Sequence, residues 1–298
     1  MSDFSPEMRN SAWWSGDSRK AAQGKANEAI LVKLGLLDPP DLSGVEAVQM
    51  GHVMEPVIGQ LASKKLGVEL NKIEHGLAHP KESWLRSHFD FVGVQDGKQI
   101  LVEAKNYNAA VRSKFDPDTG IMPAADMAQV IHEATVFGVQ TVYLAVLFGG
   151  SEFTLTRVDV AEQQKEDLIK QMSEFWARVV TKQPLDPETP EQARQMFPVD
   201  TVGAVQANRL IEEACSRLKA VKAQLSVLEG EKEKMEALIQ AHMRDGGTLT
   251  SFSGEVLATW RSAKPSMKFD AKAFEQAMPA IYKQFVREFA GSRRFLIK

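Results

Sequence analysis

Residues 84–105 read WLRSHFDFVGVQDGKQILVEAK, and this stretch decides the fold that we predict. Residues 84–94 are rich in aromatic and β-branched side chains, which favour strands. Residues 99–105 form a second run of this kind, and Asp96-Gly97 lies between the two. An Asp-Gly pair between strand-like runs indicates a hairpin, so we predict two antiparallel strands joined at this turn.

Three charged side chains should meet on this hairpin. Asp90 and Glu103 lie on its two arms, and neighbouring strands are only about 4.8 Å apart. Glu103 and Lys105 are separated by a single residue and therefore point to the same face. The Ala104 carbonyl adds another hard oxygen at the strand edge. Such oxygens suit Mg²⁺ or Mn²⁺ rather than zinc, so we predict a divalent-metal site formed by Asp90, Glu103 and Ala104.

This set of groups fits phosphodiester hydrolysis, which builds negative charge on the phosphate and on the leaving oxygen. Metal ions held by Asp90 and Glu103 would stabilise that charge and acidify the attacking water. Lys105 would orient the water or help to deprotonate it, and would neutralise phosphate charge. Glu55 could hold a second ion or its water shell, and Gln129 could position the water or a phosphate oxygen.

A Glu-x-Lys pair taken alone has a simpler interpretation. It is common on solvated strand pairs, where charged side chains form cross-strand ion pairs at the surface. The order of the motifs argues against that interpretation, because Glu55 precedes Asp90 on a predicted helix and Gln129 follows Lys105 on another. The full series therefore favours a nuclease site.

The flanking sequence predicts an α/β or α+β domain over residues 1–182. Residues 51–65 have apolar spacings of three and four, as helices do, and Pro123 precedes a similar pattern. Residues 141–148 read TVYLAVLF, a buried-strand pattern that could pair with residues 152–158. Residues 161–181 predict another helix. This alternation indicates a central mixed sheet flanked by helices.

Residues 183–204 contain four prolines and predict a linker or an irregular wrap. Residues 205–298 begin with a long helix whose apolar residues alternate steps of three and four, as in a coiled coil. We expect Gly230 to interrupt this helix. The helix could form a helical hairpin or coiled coil, within the chain or between chains, or lie along its own domain. A small α+β extension follows, with a hairpin across Gly254 and a last helix capped by Asp270.

The heptad seam of the long helix consists of these positions: Ile211, Ala214, Leu218, Val221, Leu225, Leu228, Lys232, Met235, Ile239 and His242.

Composition excludes several classes of protein. The net charge of −3 gives no global signal for nucleic acid, although residues 261–298 carry nine basic against three acidic side chains. This basic segment could contact the DNA backbone, dock a recombination partner or be merely solvated. The single cysteine, Cys215, excludes a disulfide framework and a four-cysteine metal site within the chain. With neither a signal peptide nor a membrane span in view, we expect a cytoplasmic protein of a bacterial host or prophage-bearing cell.

The order of motifs resembles the lambda exonuclease / YqaJ-type viral recombinase branch of the PD-(D/E)xK nucleases. The matching pieces are GHVMEP (51–56), HFDFVG (88–93), LVEAK (101–105) and ADMAQVIHEATVFG (125–138). The resemblance implies a restriction-endonuclease-like core. It also implies that Asp90, Glu103 and the Ala104 carbonyl are metal ligands, Lys105 is the catalytic lysine, and Gln129 and Glu55 are supporting groups. Phe89 stands where the family name has proline.

The same resemblance implies a Mg²⁺-dependent enzyme that degrades duplex DNA from 5′ ends as a ring-shaped trimer, with Mn²⁺ expected to substitute. It would leave 3′ overhangs for a single-strand annealing protein. An early arginine and serine bind the 5′ phosphate in this family, and Ser18 and Arg19 are the matching candidates. Trp14, like Trp13, could stack on the DNA end or pack in the core. Alternatives are an endonuclease of the same fold and a non-catalytic DNA-binding or assembly factor.

Overall fold

The computed structural model describes residues 6–267, 269–287, 291 and 293–298. The chain divides into two compact units, and the boundary lies between Phe197 and Pro198. The helices described in the first unit are α1 (Pro6–Asn10), α2 (Ser15–Ala21), α3 (Ala26–Lys33), α4 (Glu46–Leu66), α5 (Ala124–Phe137), α6 (Glu162–Val180), α7 (Pro190–Met196) and a 3₁₀ helix (Ala109–Lys114). Its strands are β1 (Trp13–Trp14), β2 (Leu70–Lys72), β3 (Leu77–Ala78), β4 (Leu85–Ser87), β5 (Phe91–Gln95), β6 (Lys98–Tyr107), β7 (Thr141–Phe148) and β8 (Glu152–Asp159).

A five-stranded mixed sheet of order β2-β5-β6-β7-β8 forms the centre of the first unit. β6 and β7 run parallel, whereas the other neighbouring strands run antiparallel. The first unit also contains a smaller, three-stranded sheet of order β1-β4-β3. The predicted fold class, a mixed sheet flanked by helices with a long helix and a small extension after it, is confirmed.

The predicted hairpin is present as β5 and β6, which pair from Phe91↔Val102 to Gln95↔Lys98. Its turn has Asp96 at φ 50° and Gly97 at φ 75°, the left-handed pair that a two-residue hairpin turn requires. The single strand expected over residues 84–94 is split, however. β4 pairs with β1 and β3, so residues 88–90 carry the chain from one sheet to the other and Asp90 directly precedes β5.

The core occupies both faces of the central sheet, because side chains alternate along each strand. Leu101 and Leu144 pack with Val130 of α5 and Leu168 of α6 on one face. The other face of the sheet packs against α4, and the side chains that form this contact are Ile58, Ala62, Phe91, Ile100, Val102 and Ala145. α5 therefore covers the face of β6 that carries its odd-numbered residues.

The first unit extends past residue 182, where the sequence analysis ended it. Asn27, fully buried on α3, donates to the Asp186 carbonyl oxygen at 3.2 Å and to Gln192 Oε1 at 3.1 Å, and accepts from the Leu185 amide at 3.0 Å. One buried amide thus ties much of the predicted linker to the core of the first unit, and α7 forms within the linker. Proline density indicated an irregular path but carried no information about this anchor.

The second unit contains α8 (Arg209–Met243), β9 (Thr248–Thr250), β10 (Val256–Thr259), α9 (Ala271–Ala277) and α10 (Pro279–Phe285). Asn208 caps α8 by accepting from the Ile211 amide. Asp270 caps α9, as predicted. The expectation that Gly230 interrupts the long helix is wrong. α8 is continuous through it, because an internal glycine costs only about 1 kcal/mol in a helix of this length.

Within the described residues, no helix is long and apolar enough to cross a membrane. The basic segment 261–298 includes residues 268, 288–290 and 292, which lie outside the described residues, as do residues 1–5.

Candidate active site

The hairpin brings Asp90 and Glu103 together. The pairing Phe91↔Val102, continued by one step, sets Asp90 opposite Glu103. Asp90 is fixed to β6 because its Oδ2 accepts a hydrogen bond from the Ala104 amide at 2.8 Å. Burial, reinforced by the Glu103 carboxylate, raises the pKa of Asp90 well above its ordinary value. Two carboxylates thus share a site in which neither is well solvated.

Lys105 lies next to this pair on the same face of β6. Its Nζ donates to Glu103 Oε1 at 2.5 Å. Burial alone would lower the pKa of Lys105, but the contact with the Glu103 carboxylate outweighs burial and leaves the pKa above its ordinary value. The side chain is therefore a charged ammonium at neutral pH, and it offsets the negative charge of the carboxylates.

Gln129 on α5 reaches the same carboxylate from the helix above the sheet. Its Nε2 donates to Glu103 Oε1 at 2.6 Å and to Glu133 Oε1 at 2.9 Å. Burial and the neighbouring Glu103 raise the pKa of Glu133 well above its ordinary value. Since both carboxylates accept from the amide nitrogen, the Gln129 amide has one defined orientation, and its Oε1 points the other way.

Arg19 of α2 meets that amide oxygen. Its guanidinium donates to Gln129 Oε1 at 3.2 Å, to the Tyr107 hydroxyl at 2.8 Å and to the Asp126 carboxylate. The Tyr107 hydroxyl in turn donates to Asp126 Oδ1 at 2.7 Å, and burial raises the pKa of Tyr107 to about 12. A continuous polar network therefore joins Lys105 and Glu103 to Arg19, whose side chain remains 27 % exposed.

Ser18, the neighbour of Arg19, lies in different surroundings. It is 1 % exposed, and its Oγ lies 2.7 Å from His132 Nδ1 and accepts from Trp13 Nε1 at 3.1 Å. His132 Nε2 lies 2.9 Å from the Arg86 carbonyl oxygen, which can only accept, so that nitrogen carries the proton and Ser18 donates to Nδ1. The Ser18 hydroxyl is thus hydrogen-bonded to Trp13 and His132 within the core and takes no part in the Arg19 network.

Glu55 approaches from α4, on the opposite side of the sheet from Gln129. It forms an ion pair with Lys72 at 2.7 Å, and its charge contributes to the raised pKa of Asp90. In the part of the chain that the structure describes, no three His, Cys, Asp or Glu side chains converge on one metal position. A metal here would depend on Asp90, Glu103, a backbone carbonyl and water, which is the sparse protein ligation that Mg²⁺ accepts.

The region that carries this geometry matches a known family. Residues 15–140 match the family model of the YqaJ-like viral recombinase domain. These residues are thus similar to that family, and residues 15–140 are called the YqaJ-like domain from here on. The match spans Arg19, Asp90, Glu103, Lys105 and Gln129, and it confirms the family predicted from the sequence.

Solved structures resemble the fold at low sequence identity. An alkaline exonuclease from Laribacter hongkongensis, LHK-Exo, is 16 % identical over 58 % of this chain and 90 % of its own, with a TM-score of 0.48. Its complex with dAMP matches over 63 % and 94 %, at the same identity and TM-score. A phage-related exonuclease from Haemophilus somnus 129PT is 10 % identical over 55 % and 82 %, with a TM-score of 0.41. No curated protein matches the chain.

Three polar residues of the YqaJ-like domain were not predicted: Tyr107, Asp126 and Glu133. The spacing of each residue from Lys105 or Gln129 along its strand or helix could have identified it. Tyr107 follows Lys105 by two residues on a strand, which puts both on one face. Asp126 and Glu133 lie three residues before and four residues after Gln129 on one helix, which groups all three on one side.

Trp14, proposed from the sequence to stack on DNA or to pack, is packed in the first unit. It is 8 % exposed and stacks on His88, with ring centroids 4.7 Å apart. Trp13 is fully buried and stacks on Phe175 at 5.7 Å. Of the residues matched to 5′-phosphate binding, only Arg19 is joined to the Glu103 network and partly exposed.

Proposed function

We propose that this chain is a divalent-metal-dependent exonuclease that degrades duplex DNA from 5′ ends and leaves 3′ overhangs. The observation that carries the proposal is the half-buried Asp90 opposite Glu103, with the Lys105 ammonium 2.5 Å from the Glu103 carboxylate. The Glu103 side chain is only 5 % exposed and is contacted by Gln129 of α5, which argues against a solvated surface ion pair. The match of residues 15–140 to the YqaJ-like family supports a nuclease.

Asp90, Glu103 and the Ala104 carbonyl would hold the ion, which we take to be Mg²⁺ with Mn²⁺ able to replace it. The donor set fits, since all three groups offer hard oxygens and two crowded carboxylates favour a cation between them. When bound, a divalent ion stabilises charge on the phosphate and acidifies a water molecule. Glu55 would support the ion's water shell from the α4 side.

The remaining roles follow from the network. The Lys105 ammonium would contact a phosphate oxygen or orient the attacking water. Gln129 would keep Glu103 in place through its amide nitrogen and would connect it to Arg19 through its oxygen. Arg19, with bidentate donors and partial exposure, is the residue that we propose for the terminal 5′ phosphate.

The test is cleavage of linear duplex DNA by the purified full chain with Mg²⁺, with Mn²⁺ and with a chelator. Lys105→Ala should lower the rate by about 10²- to 10⁴-fold, the usual contribution of such a group. Lys98→Ala is the matched control, because Lys98 is an exposed lysine at the opposite end of the same strand. Equal rates for the two variants, or undiminished cleavage in the chelator, would reject the proposed site.

Two DNA substrates separate the alternatives. An exonuclease degrades the linear duplex and spares a covalently closed circle, whereas an endonuclease of this fold cuts both. Labels at the 5′ or 3′ end then report polarity. A non-catalytic DNA-binding factor would leave both substrates intact, and Asp90→Asn would not change its behaviour. Asp96→Asn is the matched control, since Asn also accepts the left-handed turn conformation of Asp96.

The proposal also includes a ring-shaped trimer, a single-strand annealing protein as partner and action in the cytoplasm of a phage-bearing bacterium. Light scattering on the intact chain, with and without duplex DNA, tests the assembly. A monomer that digests long duplex with full processivity would argue against the ring.

A further inference from the structure

The seam of α8 is an apolar surface for which the second unit offers no matching helix among its described residues. Leu225 is 50 % exposed and Leu228 is 59 % exposed near the middle of the helix. α8 has 35 residues, about 52 Å of helix, whereas α9 and α10 have seven residues each. Neither short helix can cover a seam of that length.

The heptad assigns the residues of α8 to defined positions. Ile211, Leu218, Leu225, Lys232 and Ile239 occupy the a positions, and Ala214, Val221, Leu228, Met235 and His242 occupy the d positions. The charged residues that flank the seam are Arg217 and Glu231 at g and Lys222, Glu229 and Glu236 at e. Flanking charges of this kind set the orientation of two helices in a coiled coil.

A parallel, in-register pair of α8 helices brings like charges together. Lys232 would meet its own copy inside the seam, since a positions face each other in that arrangement. Each g residue would lie near the e residue of the next heptad in the second copy. Arg217 would then face Lys222, and Glu231 would face Glu236. All three contacts are repulsive.

An antiparallel pair removes these conflicts. In the register that sets Leu225 against Leu228 of the second copy, the a position of each layer faces a d position. Lys232 then lies beside Val221 rather than beside another lysine. The basic half of each flank lies along the acidic half of the other, so Lys222 falls between Glu229 and Glu236 of the second copy.

The remaining flank contacts are nearly all compatible with this register. Arg217 comes within about one turn of Glu231 of the second copy, and the two-fold symmetry repeats each contact. Only Glu229, near the two-fold axis, meets its own copy. The ends of the two helices also oppose each other, which is favourable for their dipoles.

We infer that α8 is a self-association surface that joins two copies of this chain in an antiparallel coiled coil. The inference concerns the second unit and does not depend on the proposed nuclease activity. Combined with the proposed trimer, a two-fold contact of this kind would join a chain of one ring to a chain of another. It accounts for a seam that is apolar at all positions but Lys232 and His242 yet exposed in one chain, and for flanks that are basic in one half and acidic in the other.

Cys215 provides a direct test, because it is the single cysteine of the chain and lies on α8. A spin label on Cys215 of the full chain should report a distance of about 35 Å along the axis between two copies, from 23 residues at about 1.5 Å each. A parallel pair would bring the labels to within about 10 Å, one interhelical distance. That short distance, or no intermolecular distance attributable to α8, overturns the inference.

Charge reversal at Lys222 is an independent test, because it should weaken association of an antiparallel pair and strengthen association of a parallel pair. Lys222→Glu should raise the dissociation constant about tenfold, because each copy would face Glu229 and Glu236. In a parallel pair the same change would tighten association by pairing with Arg217. Lys219→Glu is the matched control: an exposed lysine three residues earlier, at an outward b position of the same helix.

Both variants should keep the helix content of the wild type in far-UV circular dichroism. Dissociation is followed by light scattering over a dilution series of the full chain. Weaker association of Lys222→Glu alone supports the antiparallel pair. Tighter association, or identical behaviour of Lys222→Glu, Lys219→Glu and the wild type, overturns it.

Discussion

The two units bury their apolar residues to very different extents. In the first unit, Trp13, Ile30 and Leu144 are completely buried, and the two faces of one sheet each carry a hydrophobic cluster. In the second unit, Met243 is the only buried residue in the described segments 198–267, 269–287, 291 and 293–298. The first unit therefore contains its own core, whereas the second presents apolar surface.

This contrast shows that helix formation and helix burial are separate properties of a sequence. α5 and α8 both have apolar spacings of three and four. α5 packs on a sheet that its own chain supplies, but α8 has no such partner in its unit. Because most helical stability in proteins comes from packing of the apolar face, α8 should gain stability from association and α5 should not.

The largest expected effect comes from matched leucines in the two units. Leu144→Ala removes a completely buried side chain on β7 and should lower the free energy of unfolding by about 2–5 kcal/mol. Leu257→Ala removes a side chain that is 60 % exposed on β10 and should change it by less than about 0.5 kcal/mol.

Urea unfolding followed by tryptophan fluorescence measures this difference. Of the five tryptophans, Trp13, Trp14, Trp84 and Trp176 lie in the first unit and report on Leu144→Ala, whereas Trp260 lies in the second unit beside β10 and reports on Leu257→Ala. Comparable losses from the two substitutions would mean that the second unit has a core of its own, and the contrast drawn between the units would fail.

The next effect concerns pH and compares the buried His132 with the exposed His52. Burial lowers the pKa of His132 to about 4 from an ordinary value of 6.5, and neutral His132 accepts from Ser18. As pH falls, the unfolded chain therefore protonates this histidine at a higher pH than the folded chain does. Stability from this group is fully present above pH 6.5 and is lost as pH falls from 6.5 towards 4, by about 3 kcal/mol in total.

His132→Gln should be less stable than the wild type at neutral pH, since it disturbs the contacts to Ser18 and Arg86. The deficit should shrink as pH falls through this window, because the variant has no imidazole to protonate. His52→Gln, at an exposed position of α4, is the control and should leave the pH profile unchanged. A deficit for His132→Gln that stays constant from pH 7 to 4 would contradict the assignment.

Sequence periodicity was sufficient for the parts of the site that lie on one element or one turn. Asp96-Gly97 fixed the register of the hairpin, and the register in turn set Asp90 opposite Glu103. The two-residue period of β6 put Lys105 on the same face as Glu103. Gln129 was found because its helix follows at the right point in the family's order, and the family itself is confirmed.

Contacts between distant segments were beyond this kind of reasoning. Ser18 bonds to His132, which lies 114 residues away, so a serine that resembled a phosphate ligand is buried instead. Asn27 holds residues of the predicted linker, more than 150 positions later in the chain. Glu133 shares a helix face with Gln129, but spacing alone does not say which helix face meets the sheet.

The smallest effect, and the sharpest comparison, comes from two glycines inside helices. A Cβ added to Gly59 of α4 would lie 2.4 Å from Cζ of Phe91, whereas one added to Gly230 of α8 would have nothing within 4 Å. Gly59→Ala should therefore destabilise the first unit by about 1–3 kcal/mol through overpacking. Gly230→Ala should stabilise α8 by about 0.5–1 kcal/mol, because alanine has the higher helix propensity.

Tryptophan fluorescence during urea unfolding measures the first change, and far-UV circular dichroism during heating measures the second. Gly59→Ala should also slow DNA cleavage, because Phe91 directly follows Asp90 and a displaced ring would shift that carboxylate. Gly230→Ala should leave cleavage unchanged, since it lies in the other unit. If Gly59→Ala were neutral in both assays, α4 would be free to move on the sheet. The close packing that distinguishes the first unit from the second would then not extend to the site.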